Sequence, residues 1–232
     1  MRVLVTAGPT REHIDAVRFL SNASSGRMGC AVAAAAVAAG HKVTLLAGPG
    51  LTDLPDGCDV ARFVSVDDLA RALDDRFDRC DALVMAAAVG DFRPQRRAEG
   101  KIPRRAGPVT IRLIPTEDLL AGLAGRKPPG QTIVAFAVED PPPAKAEAKA
   151  RSEMSAKGAD FVVVNTPAAM GAADSEACIL SAGGVELPWA RRSKTDLASR
   201  VVSLLSRRDG PGDTGTGEAG PADRQTEPPT PS

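Results

Sequence analysis

Residues 21–29 place two adjacent serines, an asparagine amide and two glycines directly ahead of an alanine-rich run. Small residues and glycine let a backbone approach a ligand closely. The first turn of a helix carries unpaired N–H groups and about half a positive charge, so an anion is its natural occupant. An ordinary capped helix, with Ser24 or Ser25 as N-cap, is the alternative. Arg18 and Arg27 flank the cluster and supply cations that a cap does not need. The segment therefore reads as an anion-binding turn.

The elements that must hold this turn alternate along the chain. Residues 2–6 form a short β-branched run that must turn at Ala7-Gly8-Pro9. Residues 29–39 are helical by propensity and stop at Gly40, a good residue for a left-handed helix end. Further strands are predicted over 42–46, 64–66, 82–87, 133–137 and 161–164, with helices over 67–77 and 144–157. Near-continuous apolar strands alternating with helices predict an α/β fold, a Rossmann-like parallel sheet flanked by helices. Two segments break the alternation. Residues 93–107 are basic and punctuated by proline and glycine, which suits a functional flap loop. Residues 177–187, centred on Ala182-Gly183-Gly184, read as a small C-terminal β-hairpin. Ser193 and Asp196 resemble a capping box that opens a last helix to about Leu205. The folded domain is thus expected over 1–206, with 207–232 a disordered tail rich in glycine, proline and threonine.

Composition sets bounds on function. At 232 residues the chain can bury one sizeable core. Its 29 basic residues balance 29 acidic ones, so neither a nucleic-acid groove nor an anionic membrane surface is indicated as a partner. Cys30, Cys58, Cys80 and Cys178 have no C-x-x-C spacing and read as buried or half-buried thiols in a reducing cytoplasm. Met1-Arg2 leads straight into a strand, without a signal peptide, and the alanine run is too short to span a bilayer.

Ligands of open α/β sheets sit beyond the carboxyl ends of the strands. The bends at Gly8-Pro9, at 88–91, at 136–139 and at Asn165-Thr166 all fall there. The first bend lacks the G-x-G-x-x-G of a dinucleotide site, and there is no Walker lysine motif. His13 and His41 stand far apart, no nucleophile–base arrangement stands out, and the metal ligands are left unknown. Such a chain suits chemistry that needs little acid–base machinery. Activation of a carboxylate by a nucleoside triphosphate is one case, in which positioning and charge neutralisation do most of the work, usually with Mg²⁺.

Residues 5–29 also resemble the opening of the phosphopantothenoylcysteine synthetase domain, the ligase of coenzyme A biosynthesis. Ala86-Ala87-Ala88-Val89-Gly90-Asp91-Phe92-Arg93, Lys101-Ile102, residues 134–139, residues 157–160 and Val164-Asn165 continue the match, and Ser193-Lys194 with Asp196-Leu197-Ala198 resembles its closing helix. The resemblance covers roughly residues 1–206 and implies CTP as co-substrate, Mg²⁺, small-molecule substrates and a homodimer. By it, Asn22 holds the carbonyl of an acyl-nucleotide intermediate, and Lys101 is the flap lysine that closes over the reacting phosphate. Ser24, Ser25 and Gly26 match the turn for the substrate phosphate. Arg18 matches an arginine that reaches a neighbouring subunit's acid substrate, and Arg93 falls on the substrate side as well. Gly8, Ala87, Ala88, Val89, Asp91, Asp118, Phe136 and Lys157 fall on the nucleotide side, with the backbone of Phe136 reading cytosine.

Several positions depart from the family pattern. Glu153 stands where bacterial members usually carry a lysine, four residues before Lys157, and Lys149 and Lys145 continue that helical face. Thr116-Glu117-Asp118 replaces Asn-Pro-Asp, the bend reads Val89-Gly90-Asp91-Phe92 for Val-Ala-Asp-Tyr, and Glu176 takes the place of an asparagine. The fused decarboxylase domain common in bacteria is absent from the sequence, so the expectation is a freestanding ligase domain with a decarboxylase as a separate partner. A sibling ligase joining another acid and amine, and a binding module without turnover, are the alternatives.

Overall fold

The computed structural model describes residues 1–104, 107–139 and 143–206; the expected tail lies outside the described residues. In chain order the elements are β1 (Arg2–Ala7), β2 (Arg11–His13), β3 (Phe19–Ser21), α1 (Arg27–Ala38), β4 (Lys42–Ala47), β5 (Cys58–Arg62), α2 (Val66–Asp74), β6 (Ala82–Met85), β7 (Phe92–Pro94), β8 (Leu113–Pro115), α3 (Leu119–Ala124), β9 (Thr132–Val138), α4 (Pro143–Ala156), β10 (Phe161–Asn165), β11 (Asp174–Ser181), β12 (Gly184–Ser193) and α5 (Lys194–Leu205). One sheet runs in the order β12-β11-β10-β9-β6-β1-β4-β5. Its pairs from β10 to β5 are parallel, and β11 and β12 add antiparallel to one edge. The α/β expectation holds.

Alternation along the strands builds two cores. Val3, Val5, Val84, Val134 and Val163 point to one face, against Val32 and Ala36 of α1 and Leu197 and Val201 of α5. Leu4, Leu83, Ile133 and Val162 point to the other, against Leu69 of α2, Leu123 of α3 and Ala150 of α4. Burial on both faces is why these strands read as unbroken apolar runs. At the far end of α1, Gly40 takes φ 78°, and the N–H groups of Gly40 and His41 close back on Val37 and Ala36.

Three details depart from expectation. The strand predicted at 64–66 lies instead at Cys58–Arg62, an edge strand whose exposed Asp59 and Val60 hide it in the sequence. Ser65 then caps α2, accepting from the Asp68 N–H, while the Asp68 carboxylate accepts from the Ser65 N–H. The C-terminal hairpin is not small: its strands of 8 and 10 residues extend the main sheet. At α5, Ser193 accepts from the Asp196 N–H, while the Asp196 carboxylate turns to Arg192 and Arg200, 3.8 and 3.6 Å away.

All four cysteines are free thiols. Burial pushes the Cys178 thiol up to about 12 and the Cys80 thiol up to about 11. Because the thiolate is the reactive form, a maleimide at pH 7.5 should modify only half-buried Cys30 and Cys58 in the native protein. Mass spectrometry before and after denaturation checks this. Rapid native labelling of Cys178 would contradict the packing of β11.

Candidate functional site

The main cavity, about 620 Å³, opens over the carboxyl ends of β6, β9 and β10 and is walled by the N-terminus of α1 and by α4. This end of the sheet is where β1 is flanked by β6 on one side and β4 on the other, a topological switch point. Gly29 brings α1 against β1. A Cβ built on Gly29 would lie 2.5 Å from the Ala7 Cβ and 2.7 Å from the Thr6 carbonyl oxygen, so no other residue fits without moving the helix.

Gly26, at φ 70°, precedes the first helical residue, and neither serine caps α1; the Ser24 Oγ accepts from the Gly26 N–H instead. The capped-helix alternative therefore fails, and Gly26, Arg27 and Met28 at the start of α1 line the cavity, the end of a helix that carries orphan N–H donors suited to an anion. Asn22 bridges this turn to the opposite bend, its Nδ2 donating to the Val89 carbonyl at 2.9 Å. Three threonines fix that bend. Thr6 Oγ1 accepts from the Ala87 N–H and Thr10 Oγ1 from the Gly90 N–H, each at 2.9 Å, while Thr116 Oγ1 donates to the Gly90 carbonyl at 2.6 Å.

Eleven of the sequence-derived site residues line the cavity: Asn22, Ser24, Ser25, Gly26, Ala87, Ala88, Val89, Asp91, Asp118, Phe136 and Lys157. The other four lie outside the lining. Gly8 shapes the first bend, where φ 88° and the nearby Leu51 side chain exclude a Cβ. Arg93 lies in β7, and its Nη1 donates to both Asp67 carboxylate oxygens at 2.8 Å. Arg18 packs on Asp15 and the Ile102 carbonyl, and Lys101 is exposed beside it. The flap itself springs from the antiparallel β7–β8 pair rather than from an open loop.

The α4 wall carries alternating charge. Lys149 sits 2.9 Å from Glu139 and 3.7 Å from Glu153; Lys157 sits 3.6 Å from Glu153 and 3.2 Å from Asp118. The hydrogen bond and charge of Glu139 raise the Lys149 pKa. Asp118 has a second task, capping α3 through the Ala121 N–H. At the opposite end, Lys194 donates to the Ala169 carbonyl and the Ser175 hydroxyl, and Arg27 donates to the Gly171 carbonyl. Burial, with Arg27 nearby, lowers the Lys194 pKa. Asn165 adds a buried Oδ1 without a partner at the end of β10, an acceptor suited to a ligand hydroxyl or amine. The sequence placed the Asn165-Thr166 bend at the ligand-binding end of the sheet but gave Asn165 no role, and it did not assign Lys194 to the site. A lysine in the first turn of a helix, the wrong end for the dipole, was the one local signal for Lys194.

No group of three or more histidine, cysteine or acidic side chains is placed to hold a metal among the described residues. Asp91 and Glu117 do present carboxylates on the cavity lining. Mg²⁺ asks for little more than one or two carboxylates beside substrate phosphates, so these residues fit it.

Fold and cavity together define a Rossmann-like α/β domain with a helix N-terminus beside the switch point. Residues 1–208 match the DNA/pantothenate metabolism flavoprotein C-terminal domain, and the chain belongs to that family, the phosphopantothenoylcysteine synthetase part of the bifunctional coenzyme A proteins. It is 41% identical over 217 residues to the Coenzyme A biosynthesis bifunctional protein CoaBC of Mycobacterium tuberculosis, covering 88% of this chain and 51% of that protein. A Cysteine/Cysteine sulfinic acid decarboxylase from an unknown prokaryotic organism is 42% identical over 167 residues, covering 71% of this chain and 45% of that protein. The chain thus spans about half the length of the curated relatives it matches. The crystal structure of the C-terminal domain of CoaBC superposes with TM-score 0.73 at 30% identity, covering 88% of this chain and 93% of that one. A Cab2 mutant in complex with phosphopantothenate-cysteine superposes with TM-score 0.75, covering 88% of this chain and 86% of that one; at 17% identity it bears on the fold alone. Among the described residues no helix is long and apolar enough to cross a membrane.

Proposed function

We propose that this domain is a phosphopantothenate–cysteine ligase that activates the 4′-phosphopantothenate carboxylate with CTP and joins it to the amine of cysteine. The observation that carries the reading is the Asn22–Val89 bridge, which sets an amide between the anion-accepting turn of α1 and the bend after β6. The acid's carboxylate attacks the α-phosphorus, pyrophosphate leaves, and the amine then displaces the nucleotide from the acyl carbon. Asn22 holds that carbonyl, and the turn at Ser24, Ser25 and Gly26 takes phosphate charge. The bend at 87–91, Phe136 and Lys157 hold the nucleotide. Arg18 and Arg93 lie toward the acid side, and Lys101 reaches the reacting phosphate from the flap. Mg²⁺, when bound with the nucleotide near Asp91, would neutralise phosphate charge. The bifunctional relatives and the decarboxylase relative support a decarboxylase as partner, and a cytoplasmic homodimer completes the proposal.

A second reading, a sibling ligase for another acid and amine, is favoured by one feature. Glu153 places a carboxylate on the cavity wall between Lys149 and Lys157, where a triphosphate would meet repulsion. Pyrophosphate release with Mg²⁺, 4′-phosphopantothenate and either CTP or ATP, with and without cysteine, separates the readings. Cysteine-dependent turnover with CTP is expected. Failure with both nucleotides in a folded protein would move the assignment to the sibling ligase.

A further inference from the structure

The β2–β3 turn holds a carboxylate that the reaction itself does not use. The Asp15 side chain is fully inaccessible, although it belongs to a five-residue connection between two short strands. Its Oδ1 accepts from the backbone N–H groups of Val17 and Arg18, at 2.8 and 2.7 Å. Its Oδ2 accepts from Arg18 Nε at 2.9 Å and from the Ile102 N–H at 3.1 Å, across 87 residues of chain. The Arg18 guanidinium, held by that carboxylate, donates to the Ile102 carbonyl at 2.7 Å. The Ala98 N–H donates to the Ile14 carbonyl at 2.9 Å. Both backbone polar groups of Ile102 therefore end on one ion pair, its carboxylate buried and its guanidinium half exposed, next to Lys101.

Burying a carboxylate costs several kcal/mol unless it is paired and hydrogen-bonded. A tight turn needs only the Val17 and Arg18 bonds, which Asn or Ser side chains also make. The full charge and the second oxygen serve the flap. We propose that Asp15 is the positioning residue of the flap lysine, fixing Lys101 through the Ile102 backbone and through Arg18. Donation from the Arg18 backbone, with further bonds from Val17, the Arg18 side chain and Ile102, holds its carboxyl well below the usual carboxylate range, so the anchor stays ionised at neutral pH. Arg18 is thereby tied to the flap from within its own chain. The inference rests on the proposed catalytic role of Lys101.

Asp15→Asn tests it, because an amide has a single acceptor oxygen and cannot keep both the Val17 and Arg18 backbone bonds and the bonds from the Arg18 side chain and the Ile102 N–H. Hydrogen exchange at Ala98 and Ile102 should accelerate at least ~10-fold, by loss of local protection. Turnover should fall roughly 10–100-fold in kcat, as expected for a misplaced group, with KM for the acid little changed. Combined with Lys101→Gln, the loss should equal that of Lys101→Gln alone, since a residue acting through Lys101 has nothing left to position. Asp15→Glu, which keeps the charge, should recover part of kcat. If Asp15→Asn does not fold, Ile102→Pro removes the donated N–H, at the cost of fixing φ at 102 and restricting Lys101, and leaves the Val17 and Arg18 bonds of the turn in place. Losses that multiply in the double variant, or unchanged exchange at Ile102, would overturn the proposal. Normal turnover of Lys101→Gln would instead remove the proposed role of Lys101, while the exchange measurement would still decide the anchor.

Discussion

Asn22→Asp is expected to slow both half-reactions by roughly 10²–10³-fold, the usual loss when one preorganised donor to a developing oxyanion is removed. In the native protein the Asn22 Nδ2 donates to the Val89 carbonyl at 2.9 Å, which aims the rest of the amide into the cavity. Aspartate has nearly the same shape but no donor. Its carboxylate would face the Val89 carbonyl and stand beside the phosphate that the α1 terminus attracts, so two repulsions replace one hydrogen bond. Asn22 is exposed, so the cost to folding is about 1 kcal/mol, the scale of a single hydrogen bond. Activity and stability should therefore separate: a large loss in single-turnover activation and in amine transfer, with a melting shift of only about 2–4 °C. Normal turnover in the variant would remove Asn22 from the reaction. A collapse of the melting temperature would make it a structural bridge instead.

What could be read from the chain followed from where each residue is buried. β1, β4, β6, β9 and β10 lie inside the sheet, and most of their residues pack on both faces, so their apolar runs announce them. β5 is an edge strand with no buried residue, and its Cys-Asp-Val-Ala-Arg sequence carries no such run. The β2–β3 and β7–β8 pairs are three-residue ladders stabilised by distant partners, among them Asp15, Asp67 and Arg93, and local pattern cannot show that. The site divides in the same way. The bends after β6 and β9 and the turn before α1 could be placed because strand ends and helix starts are local features. Asn165 ends β10 and could be placed with the other strand-end bends, whereas Lys194 reaches the cavity only because β11 and β12 fold back onto β10, a fact of topology that no window of sequence contains. Lys101 and Arg18 illustrate the converse. Spacing and resemblance marked both, but only the three-dimensional structure joins them through Asp15 and Ile102.

Gly29→Ala should lower both stability and affinity for the phosphorylated acid substrate, although it exchanges a poor helix former for the best one. The propensity gain is about 1 kcal/mol. Against it, the new Cβ would meet the Ala7 Cβ at 2.5 Å, the Thr6 carbonyl oxygen at 2.7 Å and the Ala7 Cα at 2.9 Å. These atoms belong to the backbone and first side-chain carbon of a central strand, so they cannot swing aside as the tip of a long side chain would. Overpacking of this kind costs up to about 3 kcal/mol, and the net loss should be about 2 kcal/mol. For a domain of this size that is a melting shift of roughly 4–8 °C. Gly122 is the control. It sits in α3 with nothing within 4 Å of a built Cβ, so Gly122→Ala should raise stability by about 0.5–1 kcal/mol. Opposite signs for the same substitution would show that the contact with β1, and not helix propensity, decides. The functional consequence follows from geometry. Gly29 is the third residue of α1, so pushing the helix off β1 displaces the first turn, whose Arg27 and Met28 line the cavity. KM for 4′-phosphopantothenate should then rise more than kcat falls, because the lost donors act on the substrate phosphate in the ground state as well as in the transition state. If Gly29→Ala instead melts higher than the parent with unchanged KM, the close approach of α1 to β1 is not what sets the anion-binding turn.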